Sequence, residues 1–312
     1  MFWPKKAILA KIESAYGTDA VPIGGANAMI VTEFRITPIA GDQVSRNLER
    51  PYLGAQEELL TGQHVECSFK VEIAGAGAGA AGPDTPPAWG PLVRACAHAE
   101  TITADTSVAY TPISDGLESV TIYTNLDGIQ HKLLGARGTF SVQFTAKELP
   151  YFSFTYRGLL VAPTAVALPT VDTTAFATPL IVNDANTDFL VAASARIMRS
   201  FSLDMSGQLA GRFLVGQEEI IIGDRPGSGQ MVISAVPLAT YNPFAAALAR
   251  TPTALQLVHG TVAQNIVTID VGQGQIRKDI QIGQTDNITE WTVPYLALPT
   301  DAGNDDWSIT CT

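Results

Sequence analysis

Two stretches decide the fold: QHVECSFKVEIA at residues 63–74, with AWGPLVRACA at residues 88–97, and QMVISAVPLA at residues 230–239, with TYNPFAAALA at residues 240–249. In each, an apolar run with strand-like alternation leads to an aromatic residue, a turn residue, a proline and a small-residue helix. Pro91 and Pro243 fall at the helix start, where the missing N–H has no partner to lose. One unit is therefore used twice. Further matches follow in the same order: Glu57-Glu58 with Glu218-Glu219, Trp89 and Pro91 with Tyr241 and Pro243, and Gly138 with Gly274. The offset drifts because the first copy inserts a Gly/Ala loop and an extra segment near residues 101–112, while the second inserts DRPGSG upstream. Anchors in one order predict a diverged duplication.

The composition agrees with a β-rich chain. At 312 residues there is enough for two ordinary domains with real cores. Hydrophobic residues make up 46% and charged residues only 16%, and the 27 Gly and 19 Pro imply many turns. No apolar run is long enough to cross a bilayer. The opening MFWPKKAILAKIES lacks the apolar core and cleavage site of a secretion signal, which predicts a protein made and used in a cytoplasm. A net charge of −11 argues against a protein that grips nucleic acid by its phosphates.

Taken in order, residues 1–30 read as an N-terminal arm, with a short helix over residues 5–15 ended by Gly17 and Pro22. A first domain follows over residues 31–161. It has a strand at 31–40, a polar loop SRNLERPYLGAQEELLTG at 45–62, and strands at 119–125 and 129–134 around Asp127-Gly128, a strong hairpin signal. Strands at 139–145 and 151–160 complete it. A Pro/Ala/Thr-rich linker spans 162–190. The second domain, 191–312, carries GRFLVGQEEIIIGDRPGSG at the place of the polar loop, then strands at 254–259, 265–271, 275–281, 290–296 and 307–311.

Several groups imitate chemistry. Residues 75–80 fit the outline G-x-G-x-x-A, but Pro83, Pro86 and Pro87 separate it from any helix, so the run reads as a loop. Cys67, Cys96 and Cys311 lie far apart and read as buried free thiols, with no zinc spacing. His64, His98, His131 and His259 sit on separate elements and read as surface or partly buried. Glu57-Glu58 and Asp305-Asp306 read as solvated charge, and Asn287-Ile288-Thr289 as an unused glycosylation acceptor. No catalytic constellation, metal site or cofactor is predicted.

Four segments together resemble the major tail tube protein of long-tailed, non-contractile bacteriophages. They are KKAILAKIESAYGTDAVP at residues 5–22, VSRNLERPYLG at 44–54, PPAWGPLVRACA at 86–97 and GIQHKLLGARGTFSVQF at 128–144. The resemblance implies an all-β fold with minor α: two tandem β-sandwich- or barrel-like domains, each flanked by a short helix and contributing to a ring-shaped inner β-barrel. It implies a structural virion protein, not an enzyme, assembled in the host cytoplasm into stacked rings that conduct DNA. A duplicated chain is expected to form a homotrimer with pseudo-six-fold symmetry. The implied partners are further copies of itself, the tape measure, tail terminator and distal tail proteins, and duplex DNA that passes without binding. Arg46, Arg50, Tyr52, Glu57 and Glu58 on one loop, and Arg212, Glu218 and Glu219 on the other, are the candidate contacts between rings or subunits. Trp89, Leu92, Tyr241 and Phe244 are the candidate core anchors. A soluble β-sandwich module that binds a receptor or carbohydrate, or decorates a capsid, is the competing reading. It predicts clustered aromatics on loops, against an aromatic content of 8%.

Overall fold

The computed structural model describes residues 2–77 and 81–312. The first half holds β1 (Lys6–Ile12), α1 (Gly24–Asn27), β2 (Ala28–Met29), β3 (Thr32–Ser45), β4 (Glu58–Glu72), α2 (Gly90–Arg94), β5 (His98–Thr103) and β6 (Ser107–Pro112). It ends with β7 (Val120–Leu126), β8 (Ile129–Thr145), β9 (Tyr151–Leu160) and the two-residue β10 (Thr164–Ala165). The second half opens with β11 (Thr187–Val191), β12 (Ser194–Ala195), β13 (Met198–Asp204), β14 (Leu209–Leu214), β15 (Gln217–Ile222) and β16 (Ser228–Ser234). Then come α3 (Pro243–Ala249), β17 (Pro252–His259), β18 (Val267–Ile276), β19 (Gln281–Thr285), β20 (Ile288–Ala297) and β21 (Ser308–Cys311). The chain is all-β with minor α.

The two halves share one order of antiparallel ladders. In the first, β1 pairs with β7, β7 with β8, β8 with β9, β9 with β4 and β4 with β3. In the second, β11 pairs with β17, β17 with β18, β18 with β20, β20 with β16 and β16 with β13. β19 continues β18 along β20. Two ladders join the halves, β8 to β13 and β6 to β21. The result is one ribbon in the order β3–β4–β9–β8–β13–β16–β20–β19.

Alternation gives that ribbon two unlike faces. Val65, Cys67, Phe69 and Val71 of β4 point into the core with Phe140, Val142 and Phe144 of β8 and Phe152, Phe154 and Tyr156 of β9. Rings within this group lie 5.4–5.9 Å apart, among them Phe152–Phe154, Phe140–Phe152 and Phe69–Phe154. Burying one such side chain stabilises by about 3–5 kcal/mol judged by truncation. The core continues through Phe201, Met231, Trp291 and Tyr295 of the second half as a single cluster. The ribbon's other face is polar and half exposed, with Ser68, Thr155, Gln143, Ser202, Gln230 and Thr292 taken one per strand.

Local chemistry explains several element ends. Asp127 and Gly128 both have positive φ, 34° and 105°, so β7 and β8 turn tightly as the sequence predicts. Pro294 sits inside β20, where a proline has no N–H to give the ladder. Opposite it, residues 277–280 separate β18 from β19, and the register slips by two residues between Ile276↔Tyr295 and Gln281↔Thr292.

Several expectations are corrected. Residues 6–12 form β1 instead of a helix, and lie in the sheet against β7. The polar loop expected at 45–62 is shorter, residues 46–57, because β3 runs on to Ser45 and β4 begins at Glu58; the loop is the tip of a hairpin arm. Its counterpart at 207–229 holds the β14–β15 hairpin. The strands expected at 129–134 and 139–145 are one strand, β8, and the break expected after residue 271 falls after Ile276. Gly138 does not match Gly274: on the shared ladders Gly138 occupies the position of Ile276, and Gly274 that of Ala136. The extra segment near 101–112 is the β5–β6 hairpin. Residues 78–80 of the Gly/Ala run lie outside the described residues. Gly75 donates its N–H to Asn265 Oδ1 (2.8 Å) and Gly77 to the Gln264 carbonyl (2.9 Å).

Candidate functional site

The contacts that matter are of two kinds: a seam closed inside the chain, and edges left open. The closed seam begins with β13 against β8, from Ser200↔Thr145 through Leu203↔Val142 to Asp204↔Ser141. Beyond β13 the chain enters the β14–β15 arm, which folds down onto the first half. Arg137 of β8 reaches it with a 2.6 Å ion pair to Glu219 and a 2.8 Å bond to the Ile220 carbonyl. The Ile220 N–H donates to the Tyr16 hydroxyl at 2.6 Å, and the Arg137 guanidinium lies over the Tyr16 ring at 4.8 Å. Burial raises the Tyr16 pKa, against that backbone bond and the Arg137 charge. Arg157 donates to the Leu209 carbonyl at 2.9 Å, and Phe213 stacks on His64 at 6.0 Å.

A second tie lies at the other joint. His98 is buried; its Nδ1 lies 2.7 Å from the Cys96 carbonyl, and its Nε2 lies 3.0 Å from Trp307 Nε1. The indole N–H can only donate, so His98 must accept at Nε2 and carry its proton on Nδ1. Burial, partly offset by the bond to Cys96, pushes its pKa down to about 4. This corrects the expectation that His98 is at or near the surface. The thiols of Cys96 and Cys311 are pushed up to about 12 by burial, and Cys67 moves the same way.

The open edges of the ribbon are those of β3 and β19. Among the described residues β3 pairs only with β4, and β19 only with β20. The arm formed by the far ends of β3 and β4 projects outward. Arg46 and Glu57 face each other across its tip at 3.9 Å. Arg50 donates to the Ala55 carbonyl at 3.3 Å and lies 5.9 Å from the Tyr52 ring centre. Glu58 is exposed at the start of β4, and Tyr52, Leu53, Leu59 and Leu60 also face solvent.

The remaining expected residues divide as follows. Arg212 is exposed and stands opposite Glu219 on the β14–β15 ladder, and Glu218 is exposed. Glu219 is paired with Arg137 of the same chain. Trp89 and Leu92 are buried, and Trp89 Nε1 donates to the Ala74 carbonyl at 2.8 Å. Tyr241 and Phe244 are half-buried against Trp291, with ring centres at 6.5 and 5.7 Å. Sequence reasoning missed Arg137, Tyr16 and Phe213, which hold the folded arm, and Ile282 on the open edge.

The polar face of the ribbon carries three ion pairs and an exposed cation, Arg35, which stands opposite Ser68 on the β3–β4 ladder. Lys70 pairs with Glu33 at 2.6 Å, Arg157 with Glu66 at 2.8 Å and Arg199 with Glu290 at 2.8 Å. Arg199 draws the Glu290 pKa down. Among the described residues no group of His, Cys, Asp and Glu could hold a metal, and no helix is long and apolar enough to cross a membrane.

Compared with known families, the chain matches the family model described as phage tail tube protein over residues 3–302, nearly its whole length. No curated protein matches it.

Proposed function

The chain belongs to the phage tail tube protein family, a family of structural proteins of the virion tail, and from that premise we propose that its copies close into rings that stack into a DNA conduit. The observation that carries the proposal is the ribbon β3–β4–β9–β8–β13–β16–β20–β19, which has one core face, one polar face and two unpaired edges. An open edge invites pairing, and ring closure removes it. Each chain brings eight strands to such a ring.

Strand number then favours three chains. Two would give about 16 strands, the number that in porins leaves only an aqueous channel. Three would give about 24, at a spacing of about 4.8 Å and a tilt of about 40°, hence a barrel roughly 40–50 Å across between backbones. That leaves room for a duplex. The two halves, 31–161 and 191–312, would act as pseudo-equivalent domains, giving a trimer with pseudo-six-fold symmetry.

The polar face suits the wall of this channel. Serine, threonine and glutamine offer no phosphate-binding charge, and of the cations on this face Lys70, Arg157 and Arg199 are held by carboxylates while Arg35 is exposed. With a net charge of −11, the protein would repel the DNA backbone, so the genome slides without sticking. The arm residues Arg46, Arg50, Tyr52, Glu57 and Glu58, with Arg212 and Glu218 on the second arm, are proposed to contact neighbouring subunits or rings. Other tail proteins would meet the tube at its two ends.

Negative-stain electron microscopy of the purified chain across a concentration series tests the proposal. Hollow tubes or rings are expected as concentration rises. A monodisperse monomer at every concentration would contradict it and favour the soluble binding module.

A further inference from the structure

We propose that the open edge of β19 in one chain pairs antiparallel with the open edge of β3 in a second copy, with Ile36 opposite Ile282. This seam rests on the ring reading above and gives it a register. It follows from the seam the chain already closes within itself.

The two halves can be laid on each other rung by rung. In the first half a rung runs Ile36–Cys67–Tyr156–Gly138, and in the second the same ladders give Leu203–Gly229–Tyr295–Ile276. Farther along, Val71–Phe152–Val142 matches Ile233–Trp291–Ile282. The strand ends agree, since Ile73 N–H donates to the Pro150 carbonyl and Ala235 N–H to the Thr289 carbonyl, both at 2.9 Å. Leu203 therefore corresponds to Ile36, and Val142 to Ile282.

Inside the chain Leu203 lies opposite Val142, and both are fully buried. Their counterparts are not. Ile282 is 66% exposed, and Ile36 is half-buried on a strand with one edge unpaired. Transposing the internal ladder puts Arg35 opposite Gly283, Ile36 opposite Ile282 and Thr37 opposite Gln281. No like charges meet. A second copy covers the apolar residues and the edge groups together, as β13 and β8 do for each other.

Paired cysteines read the register directly, because opposite residues on antiparallel strands approach within disulfide reach while diagonal neighbours do not. Arg35→Cys with Gly283→Cys, and independently Thr37→Cys with Gln281→Cys, are expected to link assembled chains under a mild oxidant into covalent dimers and trimers on a non-reducing gel. The diagonal pair Arg35→Cys with Gln281→Cys is expected to yield roughly tenfold less. Gln143→Cys with Ser202→Cys, the internal equivalent, is expected to close within one chain. Tubes that form normally but do not cross-link, or that cross-link better through the diagonal pair, overturn the register and leave the ring reading standing. An unsubstituted chain that forms neither rings nor tubes overturns the ring reading, and this seam with it.

Discussion

The two arms of this molecule come from matching places in the two halves, yet one is docked and the other free. The β14–β15 arm lies on the first half, held by Arg137, Tyr16 and Arg157, with Phe213 on His64. The β3–β4 arm projects; across its tip Arg46 pairs with Glu57, and Arg50 donates to the Ala55 carbonyl. The difference lies in what each arm can reach. β13 meets the edge of β8 because the chain leads it there, whereas β3 has no second-half edge within its own chain. Equivalent surfaces are thus closed once and left open once, and the closed copy is a template for the open one.

The strongest way to break this comparison is at the open edge. Ile282→Asp is expected to abolish rings and tubes, since a charge at a buried strand junction is costly. Because Ile282 is largely exposed in the single chain, unfolding of the isolated variant is expected to stay within about 0.5 kcal/mol of the parent in urea. The matching change at the closed seam behaves in the opposite way. Leu203→Ala is expected to destabilise the chain itself by about 2–5 kcal/mol, read as a lower urea midpoint.

The joint at His98 is sharpened by pH. Its folded pKa is depressed to about 4 from an ordinary 6.5, so the unfolded state binds the proton more readily. The stability contributed is fully present above about pH 6.5 and is lost as pH falls towards 4, on the order of 3 kcal/mol in all. His98→Phe is expected to be less stable at neutral pH, because Trp307 Nε1 loses its acceptor, and to show a flatter profile across that window.

Smaller effects are expected at the arms. Arg137→Ala removes the ion pair to Glu219 and the bond to Ile220, and is expected to cost about 1–3 kcal/mol and loosen the β14–β15 arm in hydrogen exchange. Arg50→Ala combined with Glu58→Ala is expected to reduce tube length and yield while changing chain stability by less than about 0.5 kcal/mol. Unchanged tubes would remove the free arm from the assembly contacts.

Much of the ribbon was legible in the sequence, for definite reasons. The alternation of Val65, Cys67, Phe69 and Val71 places one face of β4 in the core, and Asp127-Gly128 supplies the two positive φ values its hairpin needs. What misled was context. Ala7, Ile8, Leu9 and Ala10 are all buried, so β1 shows no alternation, and its Ala, Leu and Lys favour a helix until seven cross-strand partners on β7 decide otherwise. The strand ends at Ser45 and residues 58–62 read as part of the loop because an arm that projects into solvent buries neither face. The docking of the second arm left almost no signal, since Arg137, Tyr16 and Glu219 lie far apart in the chain. Ile282 could have been found from Gln-Ile-Gly-Gln-Thr ending in Asp286-Asn287, a turn pair with φ of 50° and 62°.

The central claim is that the seam within the chain and the seam between chains are the same structure. Cryo-electron microscopy of assembled tubes measures this most directly in a cross-section of one ring. The account predicts three chains around a continuous barrel of about 24 strands, with β19 of each chain hydrogen-bonded to β3 of the next. A ring with another number of chains, or a subunit boundary at which β3 and β19 stay unpaired, would contradict it.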